Sequence, residues 1–301
     1  MKTLRIGTRD SPLARAQAER VQRQIAAKGF KTEISALKSQ GDVMVDQPLY
    51  ALGIRGIFTK TLDVALLQGR IDLAVHSLKD VPTQLPQGIS QIAVLARGPT
   101  ADVWVKNEAQ SQSHTLATGS LRRRAFWLHR FPTDRVVNLR GRVQTRLRKV
   151  AQNPWKGGVF AEAGLAHMGL LHTLDYERLD WMIPAPAQGA IGVYARSSRK
   201  DLVAWRSWMN HEPTAICTRI ERDFLSALEG GCSAPIGALA QIKGDALSFS
   251  GALLSIDGAQ KIAVSQSRAL DRAKDLGREM AQRILVQGGA EIRAALRRQM
   301  T

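Results

Sequence analysis

The sequence predicts an α/β protein with two domains built on mainly parallel sheets and a small C-terminal α+β domain. Strands and helices alternate through the first two thirds of the chain, which is typical of parallel sheets. A stretch that resembles a hinge, residues 97–100, separates two such series. From Pro213 onward the predicted strands are grouped before the last helices, which indicates an α+β arrangement.

The first domain begins with a predicted strand at residues 4–8. Ser11 and Pro12 then supply a helix N-cap and a first-turn proline, and Gly29 follows the end of that helix. Further strands are predicted at 31–37, 71–75 and 92–95, and a helix at 58–67.

The second series has strands at 102–105, 135–138 and 158–161, with a helix from Val143. After the proline-rich stretch 183–189, we expect the strand 191–195 to return the chain to the first domain. The C-terminal domain has a helix with Ile216, Ile220 and Phe224 inward, strands at 238–242, 247–254 and 261–265, and helices beginning near Asp271 and Ala290. The predicted domains are therefore 1–96 with 190–208, 100–186 and 212–301.

Charge is the strongest signal in the composition. The chain has 43 Lys and Arg against 26 Asp and Glu, a formal net charge of +17. Such an excess attracts polyanions, and nucleic acid, an anionic membrane surface and a small polycarboxylate all satisfy it.

Other features of the composition limit the classes of function. No run approaches the ~18 apolar residues of a membrane span, and no signal-peptide core is present, so a cytoplasmic location is expected. The two cysteines, Cys217 and Cys232, cannot form a disulfide framework. No histidine pair has metal-ligand spacing, so no metal is expected.

Four segments combine basic and hydroxyl side chains at predicted junctions of strand and helix: residues 8–11, 76–82, 118–124 and 138–148. In open α/β sheets, ligands bind beyond the carboxyl ends of strands, where helix N-termini favour anions. Any one arginine alone is more simply a solvated surface residue. Together the four segments favour an anionic ligand.

Two single residues stand out. Asp80 follows a buried strand beside Lys79, where an ionised carboxylate can stabilise a cation, although an N-cap or turn aspartate fits the spacing as well. Cys232 follows Gly230 and Gly231, which leave room for another group to approach the thiol. A buried, inert cysteine is the alternative.

Three motifs together resemble the hydroxymethylbilane synthase (porphobilinogen deaminase) family: AVHSLKDVP at 74–82, LRR at 121–123 and LEGGCSAPIG at 228–237. The resemblance covers essentially the whole chain. It implies two domains like the halves of periplasmic binding proteins and a third that carries a cofactor cysteine. It also implies the joining of four porphobilinogen molecules head to tail, each losing ammonia, followed by hydrolytic release of hydroxymethylbilane.

The resemblance assigns roles to individual residues. It places a dipyrromethane cofactor in thioether linkage on Cys232 and makes Asp80 the catalytic residue, next to the pyrrole nitrogens. In the lid it assigns Arg55 and Phe58. The residues that it implies for binding the cofactor and its carboxylates are Arg9, Ser11, Ser77, Lys79, Thr118, Ser120, Arg122, Arg123, Arg140, Arg146 and Gln188.

The chain departs from the family pattern at several positions. Ala51 and Arg55 replace lid lysines, and Gly119 replaces the first of two paired serines. The remaining departures are Arg142 for asparagine, His167 for arginine, and Pro186 with Ala187 for Val-Gly.

Two other functions fit parts of the sequence. One is a non-catalytic relative that binds pyrroles or another anion. The other is a single-stranded nucleic-acid binder that uses Trp127, Trp155, Trp205 and Trp208 near basic residues, although their positions indicate core packing. We expect porphobilinogen as the partner, no nucleic acid, no membrane and a monomer.

Overall fold

The computed structural model describes residues 3–38, 59–228 and 234–300. These residues form two compact units: 3–38, 59–98 and 189–216 make up the first, and 99–188 and 217–300 the second. The second unit contains both parts that the sequence divides into separate domains. The three-domain division therefore stays a prediction.

Strands and helices largely alternate through residues 4–196, as the pattern predicts, whereas the last three strands follow one another directly. The strands are β1 (Leu4–Arg9), β2 (Thr32–Leu37), β3 (Leu73–Ser77), β4 (Ile89–Val94), β5 (Asp102–Lys106), β6 (Thr115–Ala117), β7 (Arg135–Val137), β8 (Gly157–Ala161), β9 (Tyr176–Arg178), β10 (Ile191–Arg196), β11 (Ile236–Lys243), β12 (Ala246–Leu254) and β13 (Lys261–Ala269).

The α-helices, numbered among the described residues, are α1 (Pro12–Ala26), α2 (Lys60–Leu67), α3 (Leu121–Arg130), α4 (Val143–Gln152), α5 (Glu162–His167), α6 (Lys200–Val203), α7 (Arg206–Met209), α8 (Glu212–Ala227), α9 (Leu276–Ile284) and α10 (Ala290–Met300). One-turn 3₁₀ helices span Leu78–Asp80 and Leu270–Arg272.

The two five-stranded sheets share one topology. Their strand orders are β2-β1-β3-β10-β4 and β7-β6-β8-β5-β9. In each sheet four strands run in the same direction, and one, β10 or β5, runs against both neighbours. The predicted α/β class is confirmed, as is the return of the strand near 191 to the first sheet. A three-stranded antiparallel sheet, β11-β12-β13, completes the second unit.

Helix α1 shows how the local sequence sets the first unit. The Ser11 hydroxyl accepts a hydrogen bond from Ala14 N at 3.2 Å, and Pro12 occupies the first turn. The buried face carries Ala18, Val21 and Ile25, each fully buried against the sheet. Helix α1 therefore fixes the segment that joins it to the carboxyl end of β1.

The core of the second unit is continuous across its two sheets. Phe126 and Trp127 on α3 are about 1% exposed and pack with Leu116 on β6. Ala252 and Leu254 of β12 belong to the same cluster. Shared burial of apolar surface therefore joins the C-terminal sheet to the five-stranded sheet of this unit.

Several predicted boundaries are wrong. Strand β4 spans Ile89–Val94 rather than 92–95, and β13 spans Lys261–Ala269 rather than 261–265, because pairing with β10 and β12 extends them. Strand β3 spans Leu73–Ser77 rather than 71–75, because its last four residues pair with β10, a distant segment. The helix expected near Asp271 begins at Leu276, because residues 270–272 form a 3₁₀ turn first. No helix in the described part of the chain is long and apolar enough to cross a membrane.

Asp72, which immediately precedes β3, joins the amino end of that strand to Arg5 on β1 and to Arg199. Its carboxylate accepts from Arg5 N at 2.9 Å, from Arg5 Nε at 3.1 Å and from Arg199 Nη1 at 3.1 Å. Burial opposes ionisation of Asp72, but the hydrogen bonds and charges of Arg5 and Arg199 outweigh it and hold its pKa below the ordinary value.

We expect Asp72→Asn to lower the free energy of unfolding by about 2 kcal/mol at neutral pH, because hydrogen bonds to a charged acceptor are lost. A depressed pKa in the folded state stabilises above the unfolded-state pKa, and that stabilisation is lost as the pH falls through the folded value. Urea unfolding should therefore show the two proteins converging below about pH 4. Asp201→Asn, at an exposed partner of Arg199, is the control and should change little. A constant difference down to pH 2 contradicts this account.

Candidate anion-binding and catalytic site

The first unit gathers predicted site residues at the carboxyl edge of its sheet. Strands β1 and β3 are parallel neighbours, so their carboxyl ends lie at the same edge. Arg9 is the last residue of β1, and Ser77 is the last residue of β3. Lys79 and Asp80 follow at once in the 3₁₀ turn, and both are half-buried. A carboxylate and two cations thus share one edge, as the sequence predicts.

Ser77 is held in place by a residue that the sequence analysis missed. Its hydroxyl donates to Gln17 Oε1 at 3.0 Å, and Gln17 is 6% exposed on α1. Gln17 interrupts the apolar face of that helix next to Ala18, which is the signal that could have identified it. Ser11 caps the same helix, so α1 contributes two polar groups to this edge.

His76 lies behind these residues as a neutral side chain. Its ring is buried and meets the Tyr194 ring edge-on, with centroids 5.7 Å apart. Burial, with the positive charge of Arg9 adding to it, lowers the pKa of His76 to about 3. Packing and neutrality both support a structural role for this residue.

The second unit has a matching edge. Thr118 and Ser120 follow β6, and Thr118 N donates to Val137 O at the end of β7 at 2.9 Å. Ser120 N donates to Thr118 Oγ1 at 3.3 Å, while the Ser120 hydroxyl caps α3 by accepting from Arg123 N at 3.5 Å. Residues 118–120, called the hydroxyl loop below, therefore lead into the N-terminus of α3, where anions are favoured.

Arg122 and Arg123 converge on a buried carboxylate that the sequence analysis did not single out. Asp102 is fully buried, and its Oδ2 lies 2.7 Å from Arg122 Nη1. Its Oδ1 accepts from Arg123 Nε at 3.0 Å and lies 2.9 Å from Arg123 Nη2. Burial lowers the pKa of Arg122, the charge of Asp102 opposes that shift, and the charge of Arg123 adds to it.

Two further arginines belong to the second unit, and one of them, Arg140, lies beside the loop at residues 118–120. Arg140 follows β7, and its Cδ lies 3.4 Å from where a side chain on Gly119 would begin. Arg146 is half-buried on α4, with its guanidinium carbon 5.4 Å from the centroid of the Phe160 ring. The second unit thus places Arg140 next to the hydroxyl loop.

Gln188 belongs to the same network as Asp102. Its Nε2 donates to Thr100 O at 2.8 Å and to Asp102 Oδ1 at 2.9 Å. The preceding residue, Ala187, has a φ of 61°, and its N–H donates at 2.7 Å to the buried carboxylate of Glu221. The glycine that the family carries at position 187 suits this left-handed backbone, so alanine here is strained by about 1–2 kcal/mol.

Several predicted residues cannot be placed. Cys232, Arg55 and Phe58, together with the departure at Ala51, lie outside the described residues. Their roles stay predictions. Of the other departures, Arg142 is the exposed residue that precedes α4, and His167 is the last residue of α5.

The tryptophans that suggested a nucleic-acid binder pack in the cores. Trp127 is 1% exposed and Trp205 is 7% exposed. Trp155 and Trp208 are partly buried against apolar clusters of their own units. Their packing agrees with the core positions that the sequence indicates.

Two sheets of one topology, each with basic and hydroxyl side chains at its carboxyl edge, define an α/β protein with groups suited to anions on both sheets. Residues 4–204 match the family model "Porphobilinogen deaminase, dipyromethane cofactor binding domain", and residues 215–286 match "Porphobilinogen deaminase, C-terminal domain". The chain belongs to the porphobilinogen deaminase family.

Similar proteins come from distant organisms. The porphobilinogen deaminase of Campylobacter concisus is 37% identical over 97% of both chains. That of Syntrophomonas wolfei is 38% identical over 97% of this chain and 98% of its own. The chloroplastic enzyme of Oryza sativa is 40% identical over 92% of this chain and 83% of its own.

Gly119, which replaces a serine of the family pattern, is confined by the backbone. A Cβ at this position would lie 2.6 Å from Leu139 O. We expect Gly119→Ser to lower the free energy of unfolding by about 1–3 kcal/mol, because the loop must shift away from residue 139. Urea unfolding measures the change. A variant as stable as the wild type would show that the loop accommodates the family serine without strain.

Proposed function

We propose that this chain is a hydroxymethylbilane synthase. It condenses four porphobilinogen molecules head to tail on a covalent dipyrromethane primer, and hydrolysis then releases the linear tetrapyrrole hydroxymethylbilane. The observation that carries the proposal is the position of Asp80 and Lys79 at the carboxyl end of β3, on the edge that also holds Arg9. Family membership supports the same reaction.

The donor set fits the cofactor. Every pyrrole of a dipyrromethane carries an acetate and a propionate, and guanidinium groups bind carboxylates in a forked geometry. In the second unit, Arg122 has a buried Nε without a partner among the described residues. An unpaired buried donor costs about 1–3 kcal/mol, which a ligand carboxylate would recover. We assign cofactor contacts to Arg122, Arg140, Arg146 and Ser120, and the thioether to Cys232.

Asp80 is the catalytic carboxylate in this proposal. Each condensation breaks the bond between the aminomethyl carbon and nitrogen, releases ammonia and leaves a cationic pyrrole. The new carbon–carbon bond forms at that carbon, and the attacking pyrrole carbon then loses its proton. An ionised carboxylate stabilises that positive charge as it develops. A dipyrromethane held on Cys232 would supply the terminal pyrrole carbon for this bond. Arg9, Ser11, Ser77 and Lys79 bind substrate carboxylates on the same edge.

The proposal includes a cytoplasmic location, a monomer and no partner other than porphobilinogen. Neither nucleic acid nor membrane is needed to explain the charge, because the growing product is itself a polycarboxylate. A non-catalytic relative that retains pyrroles is the rival function.

The first test is the intact mass of the protein purified from cells that make porphobilinogen. We expect an excess equal to two linked pyrrole units, because the primer is covalent. The excess should be absent in Cys232→Ser and retained in Cys217→Ser, whose thiol lies buried on α8. An unmodified wild-type mass, or an excess that survives in Cys232→Ser, overturns the assignment of the cofactor to this residue.

The second test removes the carboxylate of Asp80. We expect Asp80→Ala to lower the rate of porphobilinogen consumption at least about a hundredfold, because charge stabilisation at the reacting carbon is lost. Asp201→Ala, an exposed aspartate of the same unit, is the control and should keep full activity. Thermal unfolding checks that both variants are folded. Near-normal consumption by Asp80→Ala excludes Asp80 as the catalytic residue.

A further inference from the structure

The arginine pair of α3 divides into two unequal members. Arg123 uses all three of its nitrogens: Nε and Nη2 contact Asp102, and Nη1 donates to Val159 O at 3.0 Å. Arg122 makes its contacts through Nη1, which lies against Asp102 and donates to Ile183 O at 2.8 Å. Arg123 is therefore fully hydrogen-bonded within the protein, whereas the buried Nε of Arg122 has no hydrogen-bond partner in the part of the chain that the structure describes.

The convergence of these two side chains requires Asp102. Consecutive residues of a helix point in directions about 100° apart, so they do not face one target by default. Two guanidinium groups, 4% and 6% exposed, also repel each other unless a carboxylate lies between them. Asp102 meets both demands, and Gln188 holds its Oδ1 from a third direction.

Asp102 also lies at the carboxyl edge of the five-stranded sheet of the second unit. Strand β5 runs against β8, so Asp102 pairs with Ala161, the last residue of β8. The start of β5 is thereby brought to the carboxyl edge where the hydroxyl loop lies. The carboxylate is fully buried, so it orients the arginines from behind rather than contacting solvent.

We propose that Asp102 is a positioning residue for cofactor capture: it fixes Arg122 and Arg123 so that Arg122 receives a cofactor carboxylate while Arg123 locks the arrangement. The inference rests on the proposed function. Asp102 touches neither the substrate nor the reacting atoms. Its removal should slow cofactor loading more than its effect on stability explains.

The test follows the loading of apo-protein with porphobilinogen by intact mass over time. We expect Asp102→Asn to load about tenfold more slowly than the wild type, because Arg122 is no longer held where it receives the carboxylate. The matched control is Asp134→Asn, since Asp134 is a buried carboxylate of the same unit that accepts from Trp127 Nε1 at 2.7 Å and pairs with Lys156. Its thermal midpoint should fall, while its loading rate stays that of the wild type.

Each outcome is decisive for the inference. If Asp102→Asn loads at the wild-type rate, or if both variants slow in proportion to their loss of stability, Asp102 is structural only. Should Asp102→Asn not fold, Asp102→Glu keeps the charge but displaces the arginines, and wild-type loading by that variant overturns the inference. Failure of the wild type itself to gain mass instead contradicts the proposed function.

Discussion

Two guanidinium groups can be buried side by side only where a carboxylate offsets part of their charge, and in this protein Asp102 does so for Arg122 and Arg123. The same carboxylate binds Gln188, which lies where the chain leaves the second unit. The buried carboxylate of Glu221 instead holds the backbone, by accepting from Ala187 N and Ala240 N, both at 2.7 Å. In this strongly basic chain, buried acids thus order both the arginine pair of α3 and the backbone next to Gln188.

Local sequence signals were sufficient for most elements of the fold. Ser11 and Pro12 start α1 as their capping chemistry predicts, and the buried face of that helix follows its apolar spacing. The end of β3 could not be placed in this way, because Ser77 is strand only through its pairing with Ile191, far along the chain. Pairing of distant strands leaves no mark on the local pattern of either one.

The sequence predicted which residues would meet at the sheet edges, but not their internal contacts. The density of arginines and hydroxyls at strand ends predicted an anion-binding site, the resemblance alone made that anion a polycarboxylate, and the structure gathers Arg9 with Ser77, and Thr118 with Ser120, at such edges. The spacing of residues in the sequence does not show which of Arg122 and Arg123 is fully hydrogen-bonded within the protein. That distinction depends on Asp102, whose one visible signal is an acid at the start of an apolar strand. The family resemblance named the residues but treated Arg122 and Arg123 alike.

The most direct test of the central claim is the stoichiometry of turnover by the purified, cofactor-loaded protein. With porphobilinogen as the only substrate, the ammonia released and the linear tetrapyrrole formed are measured together. A hydroxymethylbilane synthase releases four ammonia molecules for each tetrapyrrole, and the primer stays on the protein throughout. A protein that carries the primer but consumes no porphobilinogen would contradict the claim and identify a pyrrole-binding relative without catalysis.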